Sequence, residues 1–167
     1  VAYGRPTGGQ DYVNEIRKVT DKPIKYLIYS HHHFDHIAGG KAFKDAGARV
    51  IAHQNATKRL KVLQDPHTVM PDESTGNKKV IKLGGTTLEL HYLGLNHSDS
   101  TLVMRLPKEK IIAFADMYNA GPANAPQNTT FHLATQIMLD NLKRMNVDFE
   151  RVVSVHAPNP DRPVTRA

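Results

Sequence analysis

The 167 residues contain no cysteine and no tryptophan, only 7% aromatic residues, and no long apolar run. Each absence removes something. Without cysteine there is no disulfide, no thiolate nucleophile and no Cys-ligated zinc, although the compartment stays open. A bilayer-crossing helix needs about 20 consecutive, predominantly apolar residues, and no such stretch is present. Neither sign of charge dominates: 22 Lys and Arg stand against 16 Asp and Glu, a formal net charge of +6. The basic residues are scattered, with short clusters such as Lys58, Arg59 and Lys61, which disfavours a nucleic-acid partner. What remains, 40% hydrophobic and 23% charged, is the composition of one soluble globular domain over residues 1–167, long enough to bury a core. The chain opens on Val1, without an initiator Met or a signal peptide. It therefore reads as a processed product or a fragment, and localisation (cytoplasmic, periplasmic or secreted) is left unassigned.

Against this plain background, one stretch is unusual. "YLIYSHHHFDHIAGG", residues 26–40, places four histidines and an aspartate within six positions. It lies inside the chain, so it is no terminal tag. By chance, H-x-H-x-D-H arises in about 0.2% of chains of this composition, so the cluster calls for a chemical reason.

The surrounding pattern alternates short β-forming runs with amphipathic segments. Residues 11–19 predict a helix with Val13, Ile16 and Tyr12 inward, broken by "TDKP". "IKYLIYS" reads as a buried strand. Gly39 and Gly40 open a short helix through Asp45, "ARVIAH" makes the next strand, and residues 54–64 another helix. Residues 65–78 read as a loop. From Lys79, "KVIKL", "TTLELHYLG", "TLVMRLP" and "IIAFAD" predict a meander of strands. After a loop rich in Gly, Pro and Asn (119–130), Leu133, Ile137, Met138, Leu142 and Met145 recur at helical spacing, with the methionines as core filler. "RVVSVHA" closes as a strand. The fold class is α/β.

The spacing of the histidine cluster suits a metal. Residues two apart in an extended chain share a side, so His31, His33 and Asp35 can converge, and His36 can swing in as the chain turns toward Gly39. On a helix, positions 31 and 33 would diverge by roughly 200°. A catalytic zinc usually takes three protein ligands and leaves a position open. The surplus of donors here points to two adjacent metals. Further ligands should then stand at strand ends, and three do: His97 in "GLNHSDS", Asp116 after "IIAFA", and His156 after "RVVSV". Among the other histidines, His53 reads as structural or helix-capping, His91 as a surface or packing residue, and His67 and His132 as loop residues within reach of a substrate. His32 is expected to point away from the metals.

With these residues in order, the chain resembles the metallo-β-lactamase superfamily. The match consists of H-x-H-x-D-H at His31, His33, Asp35 and His36, then His97 before "SDSTLVM", Asp116 and His156. The resemblance implies an αββα sandwich with metals at the sheet edge. It further implies that His31, His33 and His97 hold one Zn2+, that Asp35, His36 and His156 hold a second, and that Asp116 bridges them; iron or manganese are the other metals to consider. Only about thirty residues precede His31, fewer than the family's N-terminal strands need, and the chain ends soon after His156, where "VHAPNP" replaces Gly-His-Gly. The sandwich is therefore expected to be truncated at the N-terminus and shortened at the C-terminus, and a homo-oligomer could complete it.

The implied chemistry is a zinc-dependent hydrolase. A hydroxide shared by two zincs about 3.5–4 Å apart would attack an ester, thioester, lactone or amide (lactam) bond of a small-molecule substrate. Asp35 would ligate and orient that hydroxide. Ser98, Asp99 and Ser100 would either fix imidazole orientation or simply form a turn between strands, and Tyr118 would either face the substrate or pack. Asp116 and the absence of Cys make glyoxalase II and lactonase relatives a nearer likeness than Cys-containing β-lactamases, which also use a Lys that "DMYNAGP" lacks. His33 stands where flavodi-iron proteins carry Glu, and the insertions of the RNA-processing nucleases are not visible. Two alternatives stay open: a mononuclear iron enzyme like the persulfide dioxygenases, and a metal-binding fragment without turnover.

Overall fold

The computed structural model describes residues 5–117, 129–155 and 164–165. The chain divides into two compact units, residues 1–76 and 77–167. Each has its own sheet.

In the first unit, α1 (Gly8–Val19) carries Asp11 in its first turn and Arg17 and Lys18 in its last, charges that complement the helix dipole. Val13 is buried and Ile16 packs on the same core, whereas Tyr12 lies 42% exposed. The expected inward Tyr12 is thus corrected: Val13 and Ile16 already form the buried stripe. Strand β1 (Tyr26–Ile28) leads into two short helices, α2 (Phe34–Ile37) and α3 (Gly40–Asp45). Strand β2 (Arg49–His53) then pairs parallel with β1, so the helices form the crossover that parallel pairing requires. Val50, Ile51 and Ala52 are wholly buried, as suits the middle strand of a parallel sheet. Helix α4 (Gln54–Leu63) follows directly, and its N-cap is His53, whose Nδ1 accepts from the Asn55 backbone N–H at 3.3 Å. That is the capping role expected from the sequence.

The stretch 65–78 is not wholly a loop. Glu73–Thr75 forms β3, which adds to the other side of β2 in parallel register, Ile51 opposite Glu73. Three residues, none of them apolar, carry too little periodicity to be recognised beforehand; the strand forms because β2 offers it an edge. Asp72 fastens the approach, its Oδ2 accepting from the Val50 N–H at 2.8 Å while its other oxygen pairs with Lys44.

The second unit is built on a six-stranded sheet in the order β4–β5–β6–β7–β8–β9. Strands β4 (Lys78–Leu83), β5 (Thr86–Tyr92), β6 (Leu102–Leu106) and β7 (Ile111–Ala115) form the expected antiparallel meander. Helix α5 (Thr129–Arg144) then returns the chain to β8 (Arg151–Val155), which runs parallel to β7 with Ala115 opposite Val155. Strand β9 (Val164–Thr165) pairs antiparallel at the edge. The core gathers Leu93, Val103, Ile112, Phe114 and Met117 against Met138 and Leu142. Met138 is core filler, as the helical spacing predicts, but Leu133 is 63% exposed. The buried face of α5 runs through Ala134, Met138 and Leu142 instead, a tilt that depends on the sheet beneath the helix.

Two sheets with their helices thus make the mixed α/β fold anticipated from the sequence.

Candidate metal centre

The first group of donors grows out of the end of β1. Backbone pairing with β2 continues one residue beyond the strand, the Tyr29 N–H donating to the Ile51 carbonyl at 2.9 Å. The Tyr29 side chain is buried, and its hydroxyl donates to the Val69 carbonyl at 2.9 Å. Burial pushes this phenol's pKa well above its ordinary value. With Tyr29 held at both backbone and ring, the chain leaves the sheet at a fixed point, and His31 and His33 follow in the turn to α2. His33 sits at the N-cap in extended conformation, and α2 itself presents Asp35 and His36.

The imidazoles gather. His31 is fully buried, and its ring centroid lies 4.4 Å from that of His33 and 4.5 Å from that of His36. A donor nitrogen of His31 lies within 4.8 Å of one on His33, and likewise of one on His36. Ser30 Oγ stands 3.2 Å from His31 Nδ1 and helps to set that ring. Asp35 is half exposed, with Oδ2 3.1 Å from His36 Nε2. His32 also stays close, its ring 4.8 Å from His33, on the wall of a cleft. Nothing in the periodicity singles it out, because its surroundings come from α4 and the turn after it.

Glycine makes the approach of the helices possible. A Cβ on Gly9 would run into the Gly39 carbonyl, and one on Gly40 would run into the Tyr29 hydroxyl. Gly9 therefore lets α1, and Gly40 lets Tyr29 and Leu27, lie directly against the start of α3.

The second group lies in the other unit. His97 Nε2 is 3.6 Å from Asp116 Oδ2, and Asp116 is 8% exposed. Asp116 is held at φ 60, left-handed backbone that Asp tolerates better than most residues. The next residue, Met117, is buried, and its carbonyl accepts from the Thr135 hydroxyl of α5. That bond secures the chain just past Asp116, a supporting role that no sequence signal marks. In the loop carrying His97, Ser98 Oγ accepts from the Ser100 N–H at 3.1 Å and lies 2.9 Å from Ser100 Oγ. Thr101 Oγ1 donates to the Ser98 carbonyl at 3.4 Å, and Asn96 Nδ2 to the Gly94 carbonyl at 3.0 Å. These bonds build the turn between β5 and β6; burial raises the pKa of the nearby Tyr92 phenol, and the negative charge of half-buried Asp99 adds to that rise. Tyr118 and His156 lie outside the described residues.

Closely spaced, buried imidazole nitrogens with carboxylates nearby are a donor set that fits a metal ion of zinc-like preference. Neither group contains sulfur, so a thiolate-selecting site is excluded.

The family model for the metallo-beta-lactamase superfamily matches residues 6–123. The chain belongs to this superfamily. A solved metallo-beta-lactamase from Pontibacter korlensis superposes with a TM-score of 0.72 at 21% identity, covering 95% of this chain and 73% of that one. The superfamily fold thus accounts for both sheets. The 2,4-dinitroanisole O-demethylase subunit alpha of Nocardioides sp. (strain JS1661) is 27% identical over 103 residues, which is 60% of this chain and 31% of the relative. A metallo-beta-lactamase type 2 of Bacillus sp. (strain 170) is 29% identical over 105 residues, 62% of this chain and 39% of the relative. The chain spans well under half the length of these curated relatives.

Proposed function

We propose that the chain carries the centre of a metal-dependent hydrolase acting on a carbonyl-type bond, an ester, thioester, lactone or lactam. The observation that carries this reading is the gathering of His31, His33 and His36 at the end of one strand. By the superfamily resemblance, His31, His33 and His97 would hold one Zn2+ and Asp35, His36 and His156 a second, with Asp116 as a further ligand. Bound there, the metals supply Lewis acidity, polarising the scissile bond and acidifying water toward neutral pH.

The chain's own groups have defined tasks. Asp35, the most exposed carboxylate of the set, accepts a proton-bearing hydrogen bond from the attacking water and aims it. Ser30 fixes the His31 ring, while Ser98 and Ser100 fix the backbone that presents His97. Tyr118, two residues after Asp116, is assigned to contact with the substrate.

Elemental mass spectrometry on protein purified without chelators or a nickel column tests the proposal. About two zincs per chain, with turnover of p-nitrophenyl esters or a chromogenic lactam, is the expected result. Asp35→Ala should then lower kcat by about 10²–10⁴, the range of a lost general base, with the fold intact by circular dichroism. A single iron would replace the hydrolase with an oxygenase, and a folded chain that takes up no metal would overturn the reading.

A further inference from the structure

A cavity of about 310 Å³ opens beside His33 in the first unit. Phe34, Ile37, Leu60 and Leu63 give it an apolar lining, to which Asp65, Thr68, His32 and His33 add polar groups. Its size falls at the lower end of small-molecule pockets, which are mostly apolar with a few placed polar groups. Two of the wall residues are large, apolar and exposed: Phe34 at 41% and Leu63 at 62%. The polar side is shaped by a turn in which Asp65 Oδ1 accepts from the His67 N–H at 2.7 Å and the Asp65 carbonyl from the Thr68 N–H at 3.1 Å. Leu60, Asp65 and Thr68 also border a second cavity of about 570 Å³ that continues toward Met70 and Pro71.

We propose that this cleft binds the apolar acyl or aryl part of a neutral substrate whose reacting bond lies at the imidazole cluster. The inference rests on the hydrolase reading for the position of that bond. Its new content is the substrate class: a substrate with an uncharged hydrocarbon group extending from the reacting carbon past His33 toward Leu63. The wall explains the preference for hydrocarbon, since exposed Phe34 and Leu63 gain by being covered. Asp65 explains the preference for neutrality, because its carboxylate repels an anionic tail. Specificity then resides in α2, α4 and the turn at 65–68.

Two measurements on the same protein separate this proposal from the reading it rests on. The first is binding of 1-hexanol, followed by methyl resonances in NMR spectra without added metal. Saturable shifts confined to Ile37, Leu60 and Leu63 are expected, and Leu63→Asn should weaken the binding about fivefold. The second is kcat/KM for p-nitrophenyl acetate, butyrate and hexanoate with zinc present. It should rise with chain length, by up to about fourfold for each methylene buried, and Leu63→Asn should reduce the ratio of hexanoate to acetate several-fold. Hexanol binding at the cleft without turnover of any ester would uphold the cleft and overturn the hydrolase. Turnover that ignores chain length and Leu63→Asn, with hexanol shifts absent or elsewhere, would overturn the cleft and keep the hydrolase.

Discussion

Gly40 shows how much one atom can matter next to the imidazole cluster. The Cβ of an alanine there would collide with the Tyr29 hydroxyl and come within 3.4 Å of a Leu27 methyl. Since Tyr29 is buried and bonded to the Val69 carbonyl, it cannot move aside freely. Overpacking of this kind costs about 1–3 kcal/mol. Gly40→Ala should therefore lower the melting temperature by several degrees, at about 2–4 °C for each kcal/mol in a chain of this size. Adding Tyr29→Phe removes the colliding oxygen, so the double variant should recover part of the loss despite losing the Val69 bond. A double-mutant cycle by thermal denaturation checks this; strictly additive losses would show that the contact is not the cause. The glycine pair was visible in the sequence as a helix opener. Its second role, admitting Tyr29, was not, because Tyr29 and Gly40 meet only across the fold.

At the scale of an element, the antiparallel meander of the second unit carries its own charge device. Glu89 on β5 receives Arg105 Nη1 of β6 at 3.0 Å and His91 Nε2 at 3.0 Å, with Lys78 Nζ of β4 at 3.2 Å. Burial alone would raise this carboxyl's pKa; the hydrogen bonds from His91, Arg105 and Lys78 outweigh it and hold the pKa at about 2, against 4.5 ordinarily. A depressed acid stabilises the fold above its unfolded pKa. The stabilisation is lost as pH falls from about 4.5 through about 2. Its size is on the order of 3 kcal/mol. Urea unfolding at pH 6 and pH 3 should show this dependence, and Glu89→Gln should flatten it; an unchanged pH dependence in the variant would rule the cluster out as its source. His91 is buried in the same element, with Nδ1 lacking a hydrogen-bond partner among the described residues. Alternation along "TTLELHY" left it between surface and packing, and the strand's neighbours decide for packing.

At the scale of the whole molecule, metal binding and folding stability are linked. A ligand that binds only the native state raises stability by about 2.7 kcal/mol at 100 times its dissociation constant, equivalent to about 5–10 °C here. Zinc should thus raise the melting temperature of the intact chain by about that much, and a chelator should reverse it. His31→Ala should abolish most of the shift. Retention of the full shift in that variant would mean that the imidazole cluster at the end of β1 does not hold the metal.

The residues from 31 to 36 stand out as candidate metal ligands because imidazole and carboxylate at those spacings, after a strand, have few other uses. Most strands and helices were likewise local matters: the meander, the helix after His53 and the helix before β8 follow from periodicity and from Gly, Pro and Asn. Other features were decided by what packs against what. Tyr12 and Leu133 sit on helices at apolar spacing yet face outward, since the width of a buried face is set by the surface under it. Strand β3 exists because β2 offers it an edge, Asp116 turns left-handed where β7 ends under the bond from Thr135, and His32 borders a cleft made by α4 and the turn beyond it. The sequence alone determined the candidate donors and the elements that carry them, because both are written in local chemistry and local period. Only the tertiary structure decided which side chains are buried, which are held and which cavity they share, because those properties belong to pairs of residues distant along the chain.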